Sequence, residues 1–446
     1  MERALLLTGV LVSCLTACTE ANPASCLDGH CSDPARPFCD VDGALSGTPH
    51  SCVKVSCTTG DVLGCRDAQA LTCNSAGDNY DLVECAHGCG GSPAACLPCS
   101  DCERHIVPRF VPNACDTPSD GQELRVQTST TLNTSMDSQC TGGIVSQLNG
   151  PEICVVNSIT ITIERNQTLR VSGKRALALV ADDALIVDGI LDISADRAVD
   201  GPGGGLISGA RPAHPSGSGG AGFKTAGAAG GSANADGGGG AGGDATTIPI
   251  EPLLGGSRAG AYSVGMLSPG GGGGGAATLL SCTGSVEVSG IIDAGGGGGA
   301  PAGYDGFNFV RTPAGGGGAG GVVALQGMDI RVTGEIYSNG GGGGAGLEVS
   351  GAGSGMDGSR SSTAAGPGGM VGLPEAGNGG GGGYGTTAPT VGRRFTAGGL
   401  SSGAGGGGGS VGAIRTFTPA GTTPTLTPLD VSPPPDANGS VGIGSR

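Results

Sequence analysis

Residues 185–192 read Leu-Ile-Val-Asp-Gly-Ile-Leu-Asp, and the phrase returns twice. Residues 286–293 read Val-Glu-Val-Ser-Gly-Ile-Ile-Asp, and residues 330–337 read Ile-Arg-Val-Thr-Gly-Glu-Ile-Tyr. All three fit apolar-x-Val-x-Gly-x-apolar. Alternation of this kind marks a strand, and the central glycine suits a corner between two short strands. Each copy follows another short apolar stretch, at 177–180, 277–280 and 322–325, and a fourth such stretch is Val411-Gly412-Ala413-Ile414. Upstream, Ile159-Thr160-Ile161-Thr162-Ile163 alternates strictly, followed by Leu169 and Val171. Fixed strands separated by variable inserts are what a solenoid tolerates. The expected fold is mostly β: a parallel β-helix-like solenoid over residues 116–417, with long polyglycine inserts.

The inserts hold seven runs of four or more glycines, beginning at Gly237, Gly270, Gly295, Gly315, Gly340, Gly379 and Gly405. Residues 201–410 contain 75 of the 96 glycines in the 446-residue chain. Ordering a residue costs roughly 1–2 kcal/mol of backbone entropy, and glycine loses the most. Two outcomes therefore stand. The inserts are floppy loops, or they are extended three-per-turn helices of the polyproline II type that hydrogen-bond to one another. The absence of a strict Gly-X-Y period excludes collagen.

The first residues read as a targeting segment. Ala4 to Leu15 are mostly apolar and too few to span a bilayer. The segment ends Leu15-Thr16-Ala17-Cys18, which resembles the lipobox of bacterial lipoproteins. That resemblance implies a signal peptide over 1–17 and lipidation of Cys18. Each buried acyl CH₂ contributes ~0.8 kcal/mol, so several chains anchor stably. Thr19 follows the cysteine where an aspartate would favour inner-membrane retention, so the expected location is the outer membrane or cell surface. Net charge is −16, concentrated in residues 1–200, which carry 25 acidic and 12 basic residues. Such a chain has no attraction for nucleic acid.

Sixteen cysteines follow Cys18, twelve of them between Cys26 and Cys102. This density implies structural disulfides in an oxidising space. Residues 18–115 are expected to form a disulfide head using Cys26, Cys31, Cys39, Cys52, Cys57, Cys65, Cys73, Cys85, Cys89, Cys96, Cys99, Cys102 and Cys115. The phrase Cys26-Leu-Asp-Gly-His-Cys31 followed by Pro37-Phe-Cys39-Asp-Val-Asp-Gly43 resembles an EGF-like module with altered spacing. Cys140 and Cys154 are placed to close a local hairpin. With them the count is odd, so either an early cysteine reaches Cys282 or two thiols are free; the long-range bond is the expectation. Residues 418–446 are Thr/Pro-rich and read as a disordered tail.

Motifs for chemistry are weak. Gly408-Gly-Ser410-Val-Gly412 matches the nucleophile elbow, but the setting is a glycine run before a strand, and the last histidine is His214. Gly239–Asp244 resembles a single calcium-binding nonapeptide without the tandem copies such sites need. Cys99-Ser-Asp-Cys102 has acidic neighbours, the wrong sign for a reactive thiolate. Cys85-Ala-His87-Gly-Cys89 stands among too many cysteines to suggest zinc. No cofactor or metal site is expected. Asp192 and Asp293 occupy equivalent places in two repeat copies, so stacked rungs would bring the carboxylates together, as an acid/base pair requires. With Asp188, and with Lys174 and Arg175 near in sequence, this is the one place for a catalytic groove.

Taken together, the lipobox, the cysteine head and the glycine-bracketed repeats resemble a family of glycine-rich predicted surface lipoproteins from large-genome bacteria. That family implies no activity. The strands also resemble right-handed parallel β-helix passengers. The expected function is that of a membrane-anchored surface lipoprotein, not an enzyme, with a structural or adhesive role toward polysaccharide, matrix or another cell surface. The alternative is a polysaccharide-active β-helix lyase or hydrolase using the acidic groove.

Overall fold

A computed structural model describes residues 25–445 apart from 27–29, 42, 44, 67–68, 85–88, 91–94, 97–103, 120, 208, 210–215, 234–237, 247–250, 261–268, 306–309, 347–351, 372–376, 395–402 and 429. The chain is mostly β and falls into two units, 1–102 and 103–446. Lipidation at Cys18 and the roles of Cys85, Cys99 and Cys102 lie outside the described residues.

The first unit is a set of short antiparallel ladders. Phe38–Asp40 pairs Ser51–Val53, and Val62–Arg66, Gln69–Cys73 and Tyr80–Glu84 form a three-stranded meander. Its apolar core is small: Phe38, Val55 and Leu71, with the Tyr80 ring edge-on to Phe38 at 5.5 Å. Cross-links supplement so small a core. Cys26 bonds Cys39, Cys31 bonds Cys52, Cys57 bonds Cys73, and Cys65 is also disulfide-bonded. Cys89 and Cys96 are register partners in a two-stranded ladder.

The second unit is built mainly from parallel strands, with Arg104–Val107 and Gly143–Val145 pairing antiparallel. They run β1 Arg104–Val107, β2 Leu124–Val126, β3 Thr130–Asn133, β4 Gly143–Val145, β5 Ile153–Ile163, β6 Thr168–Ser172, β7 Ala176–Val187 and β8 Ile190–Asp192. After the first insert come β9 Ala276–Ser281, β10 Ser285–Val288 and β11 Ile291–Asp293, then β12 Val322–Gln326, β13 Asp329–Val332 and β14 Glu335–Tyr337. The last are β15 Ala413–Pro419, β16 Thr425–Leu426, β17 Asp430–Ser432 and β18 Gly439–Ser445. Three parallel ladders result. One joins the first halves of β5 and β7 to β9, β12 and β15. The second joins β2 and the second halves of β5 and β7 to β10, β13 and β16. The third is β3-β6-β8-β11-β14-β17.

The repeat phrases are stacked in register, Leu185 on Val286 on Ile330 and Leu191 on Ile292 on Ile336. These side chains form one core with Ile161, Ile163 and Val171. The repeat glycines mark the corner. A Cβ on Gly290 would lie 2.0 Å from the Gly189 carbonyl oxygen, and one on Gly334 would lie 2.1 Å from that of Gly290. The first ladder is buried on both faces, its far side packing Ala178, Val180, Leu280 and Phe417 against Ile106, Phe110 and Phe223. That explains why 276–280, apolar except for Thr278, and the apolar run 322–325 lack alternation and are buried throughout.

The glycine runs are ordered and bonded to one another. Run 315–321 illustrates the pattern. The N–H groups of Gly315, Gly318 and Gly321 donate to the carbonyls of Ala300, Gly297 and Ala294 at 2.8–2.9 Å. Those of Gly317 and Gly320 donate to Gly407 and Ser410 at 2.8 and 3.0 Å. The carbonyls of Gly316 and Ala319 accept from Gly271 and Gly274 at 2.8 Å, and those of Gly315 and Gly318 from Gly344 and Gly341 at 2.8 and 2.9 Å. Every third residue addresses the same neighbour, the signature of a three-per-turn extended helix. Closeness demands glycine, since a Cβ on Gly317, Gly318 or Gly409 would fall 1.9–2.0 Å from a carbonyl oxygen of a neighbouring run. Outer runs show the same period as exposure. Gly238, Ala241 and Asp244 are exposed, as are Ala364, Pro367 and Met370, while the residues between them are not.

Two boundary expectations are corrected. Residues 418–446 are not a disordered tail: the end of β15, together with β16, β17 and β18, continues all three ladders, and β18 pairs β1 antiparallel. Buried Ser432 and Val441 supply the contacts that the Thr/Pro composition conceals. The head also ends earlier than residue 115. Cys115 belongs to the second unit, where it bonds Cys282 across 167 residues, and Cys140 bonds Cys154. The fourth leading strand starts at Ala413, because Gly412 still bonds as part of the glycine run, its N–H on the Ser338 carbonyl.

Candidate functional site

The third ladder aligns one residue per rung into a column: Thr131, Arg170, Asp192, Asp293, Tyr337 and Ser432. Neighbouring strands stand about 4.8 Å apart, so Asp192 and Asp293 are stacked, as the repeat alignment implied. Each carboxylate has its own arginine. Arg170 Nη1 lies 2.6 Å from Asp192 Oδ2, and the same guanidinium donates to the Ser194 hydroxyl and carbonyl at 3.0 Å. Ser194 returns its N–H and hydroxyl to Asp192 Oδ1. Arg360 Nε donates to Asp293 Oδ2 at 2.7 Å, and its Nη2 is 3.8 Å from Asp192 Oδ2. The Gly295 N–H donates to Asp293 Oδ1 at 2.9 Å.

Asp293 is 5% exposed. Burial raises its carboxyl pKa above the ordinary aspartate value; the hydrogen bond and charge of Arg360 pull it back, and the Asp192 charge adds to the rise. Burial works against the charge of Arg360, but Asp293 and Asp192 hold that guanidinium above its usual value. One rung on, the single proton of the buried Tyr337 hydroxyl has two carboxylate acceptors in reach, Glu335 at 3.0 Å and Asp430 at 3.2 Å. Burial first, then the Glu335 hydrogen bond and charge, push its phenol well above the ordinary tyrosine value.

Arg360 belongs to a strap, residues 357–362, that bonds to several successive rungs. Asp357 Oδ1 accepts from the N–H groups of Arg197 and Gly298. Gly358 N–H donates to the Gly296 carbonyl. Asn339 Nδ2 donates to the carbonyls of Ser359 and Ser361, and Ser362 N–H donates to Asp430. The strap is thereby bonded to segments following β8, β11 and β14 and to β17.

The remaining expected residues are elsewhere. Asp188 stands at the corner between β7 and β8 and accepts from the Ser289 hydroxyl. Arg175 pairs with Glu152 and Asp137, each at 2.8 Å, on a different part of the stack. The predicted grouping of Asp188 and Arg175 with the carboxylate pair is thus not formed, because Asp188 is engaged by Ser289 at the corner and the turn after β3 and the residue before β5 supply the partners of Arg175. Ser410 is buried, with its hydroxyl on the Val411 carbonyl. Gly240 and Gly243 donate to the carbonyls of Gly217 and Gly220 inside the glycine lattice. Among the described residues, Cys26, Cys31 and Cys52 have sulfurs within 4.8 Å of one another, and all three are in disulfides.

Arg360 and Tyr337 were not singled out from the sequence. Signals existed: Tyr337 holds the position of the repeat aspartates, and Arg360 is the sole basic residue between 347 and 391. As built, the carboxylate pair is a clasp, each acid neutralised by an arginine and the more buried one covered by the strap. No known protein family matches the chain, and no curated protein or solved structure is similar to it.

Proposed function

We propose that the chain is an extracytoplasmic, lipid-anchored structural protein that presents a rigid body for contact with polysaccharide, matrix or another cell. In this reading the three ladders are the faces of a parallel β-solenoid, and the glycine inserts are a slab fused to it. The bonding of the glycine runs supports the reading most. Insert backbone of this kind, saturated with hydrogen bonds to its own neighbours, suits a fixed surface better than a moving lid. The acidic pair fits the same view, since its charges are engaged internally by Arg170 and Arg360. The disulfide-rich first unit suits an oxidising compartment.

The test uses intact cells and a membrane-impermeant amine reagent, read at Lys174, which is exposed. Labelling without permeabilisation is expected. Labelling only after the outer membrane is opened would sink the outward display. Separately, Cys18→Ala is expected to move the protein from the membrane to the soluble fraction; retention in the membrane would remove the anchor from the proposal.

A further inference from the structure

A cleft of about 410 Å³ opens on the second unit, far in sequence from the carboxylate column. Its volume is in the range of small-ligand sites, roughly 300–1,000 Å³. Three chain segments wall it, around Arg109–Pro112, Val145–Asn149 and Glu251–Pro252. The walls are braced. The Gln147 side chain donates to the carbonyls of Pro151 and Leu253 at 2.6 and 3.1 Å and accepts from the Leu253 N–H at 2.7 Å, which ties the second wall to the third. The Arg109 N–H donates to Gln326 Oε1 at 3.0 Å, which ties the first wall to β12. The cleft is therefore preformed by the fold.

Arg109 is the one cation in the lining. Its guanidinium lies over the Phe417 ring at 5.4 Å, a cation–π contact that fixes one face of the fork. Its Nε is buried and makes no hydrogen bond. The nearest acid, Glu251 Oε1, is 3.5 Å from that nitrogen, an ion pair without hydrogen-bond geometry, and Glu251 is 56% exposed. A buried donor left without an acceptor costs about 1–3 kcal/mol. The rest of the lining includes apolar Phe110, Pro112 and Pro252, with Leu148 standing 86% exposed and Asn149 next to it in sequence.

We propose that this cleft binds an acidic saccharide, a uronic-acid unit of an extracellular polysaccharide. The carboxylate takes the vacant Arg109 donor in place of Glu251. The apolar face of the pyranose lies on the proline and phenylalanine surface, and its hydroxyls reach Asn149 and the loop backbone. Guanidinium forks match carboxylates geometrically, and a ring with one apolar face and polar edges matches this mixture of walls. The inference rests on the surface-contact reading above and names its ligand class.

The experiment is calorimetric titration of the purified full chain with a galacturonic acid trimer, and with maltotriose as the neutral counterpart. Binding of the acidic trimer is expected, with little heat from maltotriose. Arg109→Gln is expected to weaken acidic binding tenfold or more, while Arg331→Gln, an exposed arginine on β13, leaves it unchanged. Glu251→Gln removes the competing carboxylate and is expected to tighten binding several-fold, a gain that misfolding cannot imitate. No heat with either sugar, equal affinity for both, or Arg109→Gln and Arg331→Gln weakening alike would each overturn the proposal. Surface labelling at Lys174 without sugar binding would reject the cleft and leave the display reading standing; sugar binding with labelling confined to opened cells would do the reverse.

Discussion

The strand ladders and the glycine runs of the second unit satisfy their backbones in different ways, and the difference decides what each tolerates. A parallel strand sends its hydrogen bonds sideways to two neighbours and its side chains up and down, so β7 can bury Leu177, Leu179 and Leu185 on one face and Ala178 and Val180 on the other. Run 315–321 sends hydrogen bonds in several directions around its axis, with contacts to the runs at 271–274, 294–300, 341–344 and 407–410. Only Ala319 finds room for a side chain, and that is a single buried methyl group. The ladders are stabilised by apolar burial, the runs by hydrogen bonds and close backbone contact. Disturbing a ladder leaves a cavity; disturbing a run forces an overlap.

The sharpest way to break this comparison is to add one methyl group. Gly318→Ala would place a Cβ 1.9 Å from the Gly272 carbonyl oxygen. Overpacking typically costs 1–3 kcal/mol and sometimes more, and with rigid backbone on the other side we expect about 3 kcal/mol. Gly238→Ala, whose Cβ would meet nothing within 4 Å, should change stability by less than about 0.5 kcal/mol. Urea denaturation of both variants checks this; equal effects would mean that the runs are not packed as described.

A middle-sized effect separates the strap from the rungs. Arg360→Ala removes the charged partner of Asp293 and should cost about 2 kcal/mol. Hydrogen exchange at Gly358 should quicken while the Ile292 amide in β11 stays protected. A double-mutant cycle with Asp293→Asn should show coupling, because the two side chains share one hydrogen bond. Additive losses would mean that the strap is held by its backbone bonds alone.

The smallest effect concerns pH. The folded pKa of Asp293 lies above the unfolded one, so the folded state holds the proton more tightly. Asp293 therefore adds stability as pH falls through the window between the ordinary aspartate value and the raised one, and ionised Asp293 is a cost at neutral pH. Wild type should gain on Asp293→Asn as pH is lowered through that window. If wild type instead loses ground, the Arg360 pairing outweighs burial.

Much of the ladder architecture was legible. Period-two alternation at 159–163 and the apolar-x-Val-x-Gly phrase located β5, β7, β10 and β13, and the alignment of Asp192 with Asp293 followed from the shared register. The site was legible only in half. Arg360 reaches Asp293 from 67 residues away through an insert, and no local periodicity encodes such a crossing. The tail misled because its alternation is diluted by Thr, Pro and Gly: Val431 and Val441 carry the inward face of β17 and β18 with few apolar companions. The state of the glycine runs was undecidable from composition, since the same residues are cheapest in a coil and obligatory in a lattice. The exposed period at Ala364, Pro367 and Met370 is the trace that such a lattice leaves in sequence.

A run of identical residues has one further property. Sliding it along its axis by one turn of three residues restores nearly the same set of bonds, so a glycine lattice alone has no preferred alignment. Yet the five runs that begin at Gly270, Gly295, Gly315, Gly340 and Gly405 adjoin rungs whose side chains admit a single alignment, since a slip of one residue would turn the apolar set outward. Gly275 leads into Ala276, Gly321 into Val322 and Gly412 into Ala413, while Gly295 and Gly340 follow closely on Asp293 and Tyr337. The rungs thus act as rulers for the lattice, and a deletion of three glycines inside a run would shift its bonding without a mismatch that the run itself could detect.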